Sequence, residues 1–288
     1  MDVTKRKVTI MEKIVVGVSE VAGSHPAIGW AMEFAENRGA AVELVHVVDA
    51  SWGHAPLDYI EKSMLRAEEL LRDIAQKARE NKPGVIVQSH VRCGTPINEI
   101  VASVADADFL VIGAHPAERY DGASRSAVRI ARLSTCSVIV VPSATIPVGA
   151  GVVVGVDGSV ESDLAVQFGA EFADRHGESL TVILAWGHPE AWGLTEPVLV
   201  ESAPSEEDRL TIAESIAGLA TRYPDLVIHT EVSGSRPEVA LYSAAIDARM
   251  LVVGSRGRHG LLRALLGSVS ESLVAELPSA VAVIRQRS

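Results

Sequence analysis

The chain of 288 residues is long enough for two domains of ~150 residues, and its formal net charge of −11 argues against a nucleic-acid partner. Hydrophobic residues make up 48% of the sequence and aromatic residues only 4%, a composition typical of α/β packing. No apolar run reaches the ~18 residues of a membrane span. The two cysteines, Cys93 and Cys136, lack C-x-x-C or metal-site spacing. We therefore expect a cytoplasmic protein with reduced thiols, no metal site and no membrane or nucleic-acid partner.

Short apolar runs alternate with helical patterns through the first half of the chain. They predict strands at 14–18, 42–48, 85–91, 109–112 and 138–141, and helices at 26–37, 58–81 and 96–105 with one more before the last strand. Five strands separated by helices predict a parallel, doubly wound sheet.

The same pattern then restarts. EKIVVGVSE is followed later by AGVVVGVDGS, MEFAENRG by AEFADRHG, and DADFLVIGA by DARMLVVGS. The second copy predicts strands at 152–156, 180–186, 227–232, 250–253 and 281–284, and a long helix at 205–223 capped by Ser205 and Asp208. We expect a leader at 1–12, a domain at 13–143, a linker at 144–150 and a second domain at 151–288.

A glycine-rich stretch in the second copy, LVVGSRGRHGLLRALLGSVS, joins a buried-strand pattern to a helix start. Gly254 and Gly257 follow the strand, and Gly267 and Ser268 begin an amphipathic helix pattern. Backbone N–H groups without a Cβ nearby, together with the helix dipole, favour an anion such as phosphate. Two structural interpretations stay open: Ser268 and Glu271 could form a capping box, and Gly254 could simply end a strand.

The spacing G-x2-G-x9-G-S directly after a hydrophobic strand resembles the nucleotide-binding signature of the universal stress protein family. Because both copies take part, the resemblance covers nearly the whole chain. It implies two doubly wound five-stranded parallel-sheet domains in tandem, of the adenine nucleotide alpha hydrolase-like type. It also implies a nucleotide site made of Gly155, Val156, Asp157, Ala185, Val253, Gly254, Arg256, Gly257, Gly267, Ser268, Val269 and Ser270.

Individual roles follow from the resemblance. Asp157 would contact the ribose or the base edge, and the backbone of Ala185 would lie against adenine. Asp157 could instead start the following helix together with Ser159. Arg256 could pair with a phosphate or be an ordinary solvated arginine. No nucleophile with a paired histidine, general base or metal set can be assembled from the spacing, and Walker and dinucleotide fingerprints are absent from the sequence.

The first copy departs from the family pattern. Pro116 stands where Gly257 does, and Ser19 replaces Asp157. The equivalents of Gly267 and Ser268 are also lost. Their place falls on 126–127 when residues are counted forward from the loop, and on 124–125 when they are counted back from the last strand. A proline contributes no N–H group. The sequence therefore predicts a degenerate nucleotide site in the first domain.

The resemblance implies a nucleotide-dependent regulator of the stress response that binds ATP or a related adenine nucleotide, with the presence of Mg²⁺ left open. A slow ATP hydrolase and a nucleotide-independent partner-binding protein are the alternatives. The two apolar last strands are expected to pair the domains as a pseudo-dimer, and full chains could form a homodimer in addition.

Overall fold

The computed structural model describes residues 11–19, 24–51, 56–114, 122–143, 150–185, 205–257 and 266–286. Most of the predicted leader, nearly all of the predicted linker and the middle of the loop after Gly257 lie outside these ranges.

The first half contains five strands alternating with four helices among its described residues. They are β1 (Lys13–Val18), α1 (Ser24–Arg38), β2 (Ala41–Asp49), α2 (Leu57–Asn81), β3 (Val87–Gly94), α3 (Pro96–Ser103), β4 (Phe109–Ala114), α4 (Gly122–Leu133) and β5 (Ser137–Pro142). β4 and β5 are buried along nearly their whole length, as expected for strands covered by helices on both faces.

The second half repeats this order with one additional helix. Its elements are β6 (Val152–Val156), α5 (Val160–His176), β7 (Leu180–Ala185), α6 (Glu206–Ser215), α7 (Leu219–Arg222), β8 (Ile228–Ser233), α8 (Pro237–Ala245), β9 (Met250–Gly254), α9 (Ser268–Glu276) and β10 (Ala280–Ile284).

The described strands form one ten-stranded sheet in the order β3-β2-β1-β4-β5-β10-β9-β6-β7-β8. Neighbours within each half are parallel, whereas β5 and β10 are antiparallel, with Ile139 opposite Ala282. The order is the same from either edge, as an approximate two-fold axis between β5 and β10 requires. The prediction of two doubly wound parallel halves is thus confirmed, and the last strands pair as expected.

Aromatic side chains fill the junction between the halves on one face of the sheet. All four phenylalanines of the chain lie here: Phe34 of α1 packs edge-on against Phe109 and next to Phe168 of α5, and Trp30 stacks on Phe172 at 6.0 Å. Aromatic rings bury a large apolar area per residue, so the phenylalanines and Trp30 contribute much of the apolar contact where the halves meet.

Polar groups tie the halves together on the opposite face. Arg132 of α4 pairs with Glu271 of α9 at 2.6 Å. Arg285, directly after β10, donates to the carbonyl oxygen of Ala131 at 2.6 Å. A cation at this place also interacts favourably with the carboxyl end of α4.

The single long helix predicted at 205–223 is wrong, because the segment is divided into α6 and α7. Gly218 adopts φ 79°, a left-handed conformation that interrupts the helix. The predicted cap at its start is confirmed: Ser205 and Asp208 form a reciprocal capping box.

The other elements agree with the sequence analysis to within three residues at each end. The predicted domain boundaries are compatible with this arrangement but stay a prediction. No helix in the described part of the chain is both long and apolar enough to cross a membrane.

Candidate functional site

A cavity of about 350 Å³ opens at the carboxyl ends of β6, β7 and β9, beside the start of α9. Ligands of doubly wound sheets bind at this edge. All twelve residues predicted from the sequence line it: Gly155, Val156, Asp157, Ala185, Val253, Gly254, Arg256, Gly257, Gly267, Ser268, Val269 and Ser270. Four further residues complete the wall: Ser162, Ile183, Pro237 and Leu241.

Gly254 is the last residue of β9 and has a packing role of its own. A Cβ added there would lie 2.9 Å from the carbonyl carbon and from the Cβ of Glu161 in α5. The absence of a side chain therefore lets the start of α5 lie directly against the end of β9. The Ser270 hydroxyl donates to the Gly254 carbonyl oxygen at 2.7 Å and fixes α9 to the same point. Gly254 thus ends a strand and also shapes the cavity.

The start of α9 presents its backbone to the cavity. Gly267 is the N-cap residue, and its N–H group donates to the Ser255 carbonyl oxygen at 2.9 Å. Ser268 is the first helical residue and not the N-cap, so the capping-box alternative with Glu271 is wrong. Glu271 instead pairs with Arg132. The first amides of α9 have no acceptor within the helix, which makes this end suited to an anion.

Asp157 lies between the two loops of the site. Its Oδ1 atom accepts hydrogen bonds from the Ser159 backbone N–H at 3.0 Å and from the Ser159 hydroxyl at 2.6 Å. Ser159, not Asp157, is the N-cap of α5 and accepts from Ser162 N at 3.2 Å. Asp157 therefore positions the cap and lines the cavity at once, so the two interpretations of this residue are compatible.

Arg256 is not a solvated surface arginine. Its side chain is 22% exposed, and its Nη2 atom donates to Glu161 Oε1 at 2.5 Å. The Nε atom is buried and finds no acceptor among the described residues. Burial lowers the pKa of Arg285, and the neighbouring Arg256 guanidinium lowers it further. Arg256 of the cavity wall is therefore close to both a carboxylate, Glu161, and a second guanidinium, Arg285.

Sequence reasoning did not identify the apolar wall of the cavity. Leu241 of α8 lies against Gly155, where an added Cβ would come within 2.7 Å of Leu241 Cδ1. Ile183 lies two residues before Ala185 in β7, so its side chain is on the same face of the sheet. That period-two relation was the available signal for Ile183. Leu241 and Pro237 could not be found in this way because the position of α8 depends on tertiary packing.

The sequence comparisons agree on one family. The model of the universal stress protein family matches residues 11–142 and again residues 151–285. The chain belongs to the universal stress protein family. A universal stress protein of Mycobacterium tuberculosis strain H37Rv is 33% identical over 291 residues, covering 95% of this chain and 97% of the relative. A second one from the same strain is 30% identical over 296 residues, covering 95% and 96%.

Solved structures support the fold of this universal stress protein. The crystal structure of a universal stress protein from Archaeoglobus fulgidus DSM 4304 superimposes with a TM-score of 0.72 over 95% of this chain and 96% of that chain. Its sequence identity is 18%, so the likeness concerns the fold alone.

The first universal stress protein domain differs at the place equivalent to the start of α9. The register of the last two strands in each half makes Ser137 the structural equivalent of Ala280. Counting back twelve residues from each makes Arg125 the equivalent of Ser268. α4 begins at Gly122, three residues earlier than this equivalence predicts. Counting back from the last strand thus brings the starts of α4 and α9 closer together than counting forward from the loop does. Pro116 lies outside the described residues.

Part of the glycine-rich loop between β9 and α9, including Arg258, His259 and Arg263, also lies outside the described residues. In the ranges that the structure describes, no three His, Cys, Asp or Glu side chains come together as a metal-binding group.

Proposed function

We propose that this universal stress protein binds ATP or a related adenine nucleotide in the cavity of its second domain and acts as a nucleotide-dependent regulator of a stress response. One observation carries the proposal. The twelve residues that the family resemblance implies come from four separate segments of the chain, and all of them line a single cavity at the ligand-binding edge of a doubly wound sheet.

The chemistry of the wall suits a nucleotide. Ile183, Leu241 and Pro237 supply an apolar surface beside the backbone of Ala185, as a purine ring requires. The carboxylate of Asp157 can accept a hydrogen bond from a ribose hydroxyl. The amides near Gly257 and at the start of α9 are suited to phosphate oxygens.

Regulation would follow from differential binding. The nucleotide touches β9, α5 and α9, and α9 is joined to the first domain through the pair between Arg132 and Glu271. A nucleotide that binds one arrangement of these elements more tightly shifts the population toward it. Any Mg²⁺ at the site would bind to the phosphates of the nucleotide and to water.

Mass spectrometry of small molecules released from protein purified without added ligand tests the proposal. We expect an adenine nucleotide at a fixed ratio to protein. Protein that carries none, and that binds none when ATP, ADP or AMP is added at millimolar concentration, would contradict the proposal and favour a nucleotide-independent partner-binding role.

A further inference from the structure

Glu161 is the acidic residue that pairs with Arg256, a cationic side chain of the cavity wall. It lies in the first turn of α5, and its Oε1 atom is 2.5 Å from Nη2 of Arg256. The two side chains are only 15% and 22% exposed. A pair this close and this shielded is held more firmly than a surface pair, because water screens it less.

The backbone around Glu161 leaves its side chain little freedom to move away. Its carbonyl carbon and Cβ lie against Gly254, where an added Cβ would be 2.9 Å from each. Ser159 caps α5 two residues earlier, and its hydroxyl also reaches the Arg256 carbonyl oxygen at 3.4 Å. The Glu161 carboxylate is therefore joined to the cavity wall through Arg256, while its backbone lies against the end of β9.

The second nearby arginine is already engaged elsewhere. Arg285 donates to the carbonyl oxygens of Ala131 and Arg132 at the end of α4, at 2.6 and 3.5 Å. Among the described residues, Arg256 is thus the guanidinium that lines the cavity, and Glu161 neutralises it. A phosphate that approaches Arg256 meets a carboxylate within a few ångströms, and like charges at such distances repel strongly in a partly buried site.

We infer that Glu161 is a specificity-determining residue of the proposed nucleotide site. Its carboxylate holds the phosphate-binding guanidinium of Arg256 and lowers the affinity of a ligand in proportion to the negative charge that the ligand places near Arg256. The inference rests on the proposed function. Such a site favours an uncharged or singly phosphorylated adenine compound over free polyphosphates. A cation that neutralises the phosphates reduces the penalty.

Calorimetric titration of adenosine, AMP and ATP in EDTA tests this in the full chain. Glu161→Gln removes the competing charge, so we expect ATP affinity to rise about tenfold, AMP affinity to rise less, and adenosine affinity to stay within about twofold. Glu99→Gln is the matched control, because Glu99 also lies in a first helical turn and pairs with an arginine, Arg92, in the first half. It should leave all three affinities unchanged.

Arg256→Gln supplies an independent reading that remains available if Glu161→Gln folds poorly. It leaves Glu161 without its cation, so ATP affinity should fall more than AMP affinity while adenosine binding persists. An unchanged or lowered ATP-to-adenosine affinity ratio in Glu161→Gln, or an unchanged ratio in Arg256→Gln, would overturn the inference while leaving the proposed function intact. Failure of the wild-type protein and of Glu161→Gln to bind any of the three would overturn both.

Discussion

The Asp157 carboxylate lies against the backbone of Gly257, so closely that a Cβ added to Gly257 would be 2.4 Å from Asp157 Oδ2. This approach joins the loop after β6 to the glycine loop after β9. The two loops thus share one wall of the cavity, and a side chain at Gly257 would displace the Asp157 carboxylate from it.

Gly257→Ala should therefore weaken nucleotide binding about 10- to 100-fold, because its methyl group displaces the Asp157 carboxylate from its place at the cavity. Isothermal calorimetry with ATP measures the effect. Gly84→Ala is the control, since an added Cβ there meets no atom within 4 Å. Binding by Gly257→Ala with wild-type affinity would contradict the role assigned to this contact.

Gly267→Ala separates ligand approach from folding. The nearest atoms of the described residues to an added Cβ are 3.6 Å away, and Gly267 has φ −66°, so alanine fits the described surroundings of Gly267. We expect an unchanged melting temperature but roughly 10- to 100-fold weaker binding of phosphorylated nucleotides, because the methyl group keeps a phosphate from the amides of α9. Unchanged binding would place the phosphates elsewhere.

A buried ion pair of the second half also contacts the first half. Arg249 and Glu178 are 9% and 2% exposed, and Arg249 also contacts Glu33 of the first half at 2.5 Å. Arg249→Ala should lower the free energy of unfolding by about 3 kcal/mol, since it leaves Glu178 buried without its cation. Denaturant titration measures this. Lys62→Ala, which removes an exposed pair with Asp58, should change it by less than about 1 kcal/mol. Equal effects of the two variants would refute the prediction.

ATP turnover should be slow. The proposed site offers amides, one paired arginine and Asp157, whose Oδ1 atom accepts two hydrogen bonds from Ser159. Phosphoryl transfer needs cations that stabilise the developing charge as well as positioning, and the lining arginine among the described residues is already paired with Glu161. Steady-state phosphate release should therefore stay far below ~10 per second, a typical enzyme rate. A rate of that order would reveal a catalytic group that our account lacks.

The sequence predicted the parts of the fold that local patterns encode. Buried strands such as 152–156 and the cap at Ser205 follow from apolar runs and capping chemistry over a few residues. The interruption at Gly218 was missed because an isolated glycine is tolerated within many helices, and only its left-handed conformation shows that this one ends a helix.

The same distinction applies to the site. The glycines and Asp157 were recognisable because they follow strands at a characteristic spacing. The pairing of Arg256 with Glu161 was not, since 95 residues separate them and the contact exists only because α5 lies against the end of β9. Long-range side-chain pairing depends on the tertiary arrangement of helices, which residue spacing does not specify.

Calorimetric titration of the full chain with ATP tests the central claim most directly. Our account predicts about one nucleotide per chain, bound in the second domain and weakened in Gly257→Ala. The first domain lacks the equivalents of Asp157 and Gly257, and its helix α4 begins earlier than α9 does. Two equivalent sites per chain, or one site whose affinity is the same in Gly257→Ala as in the wild type, would contradict it.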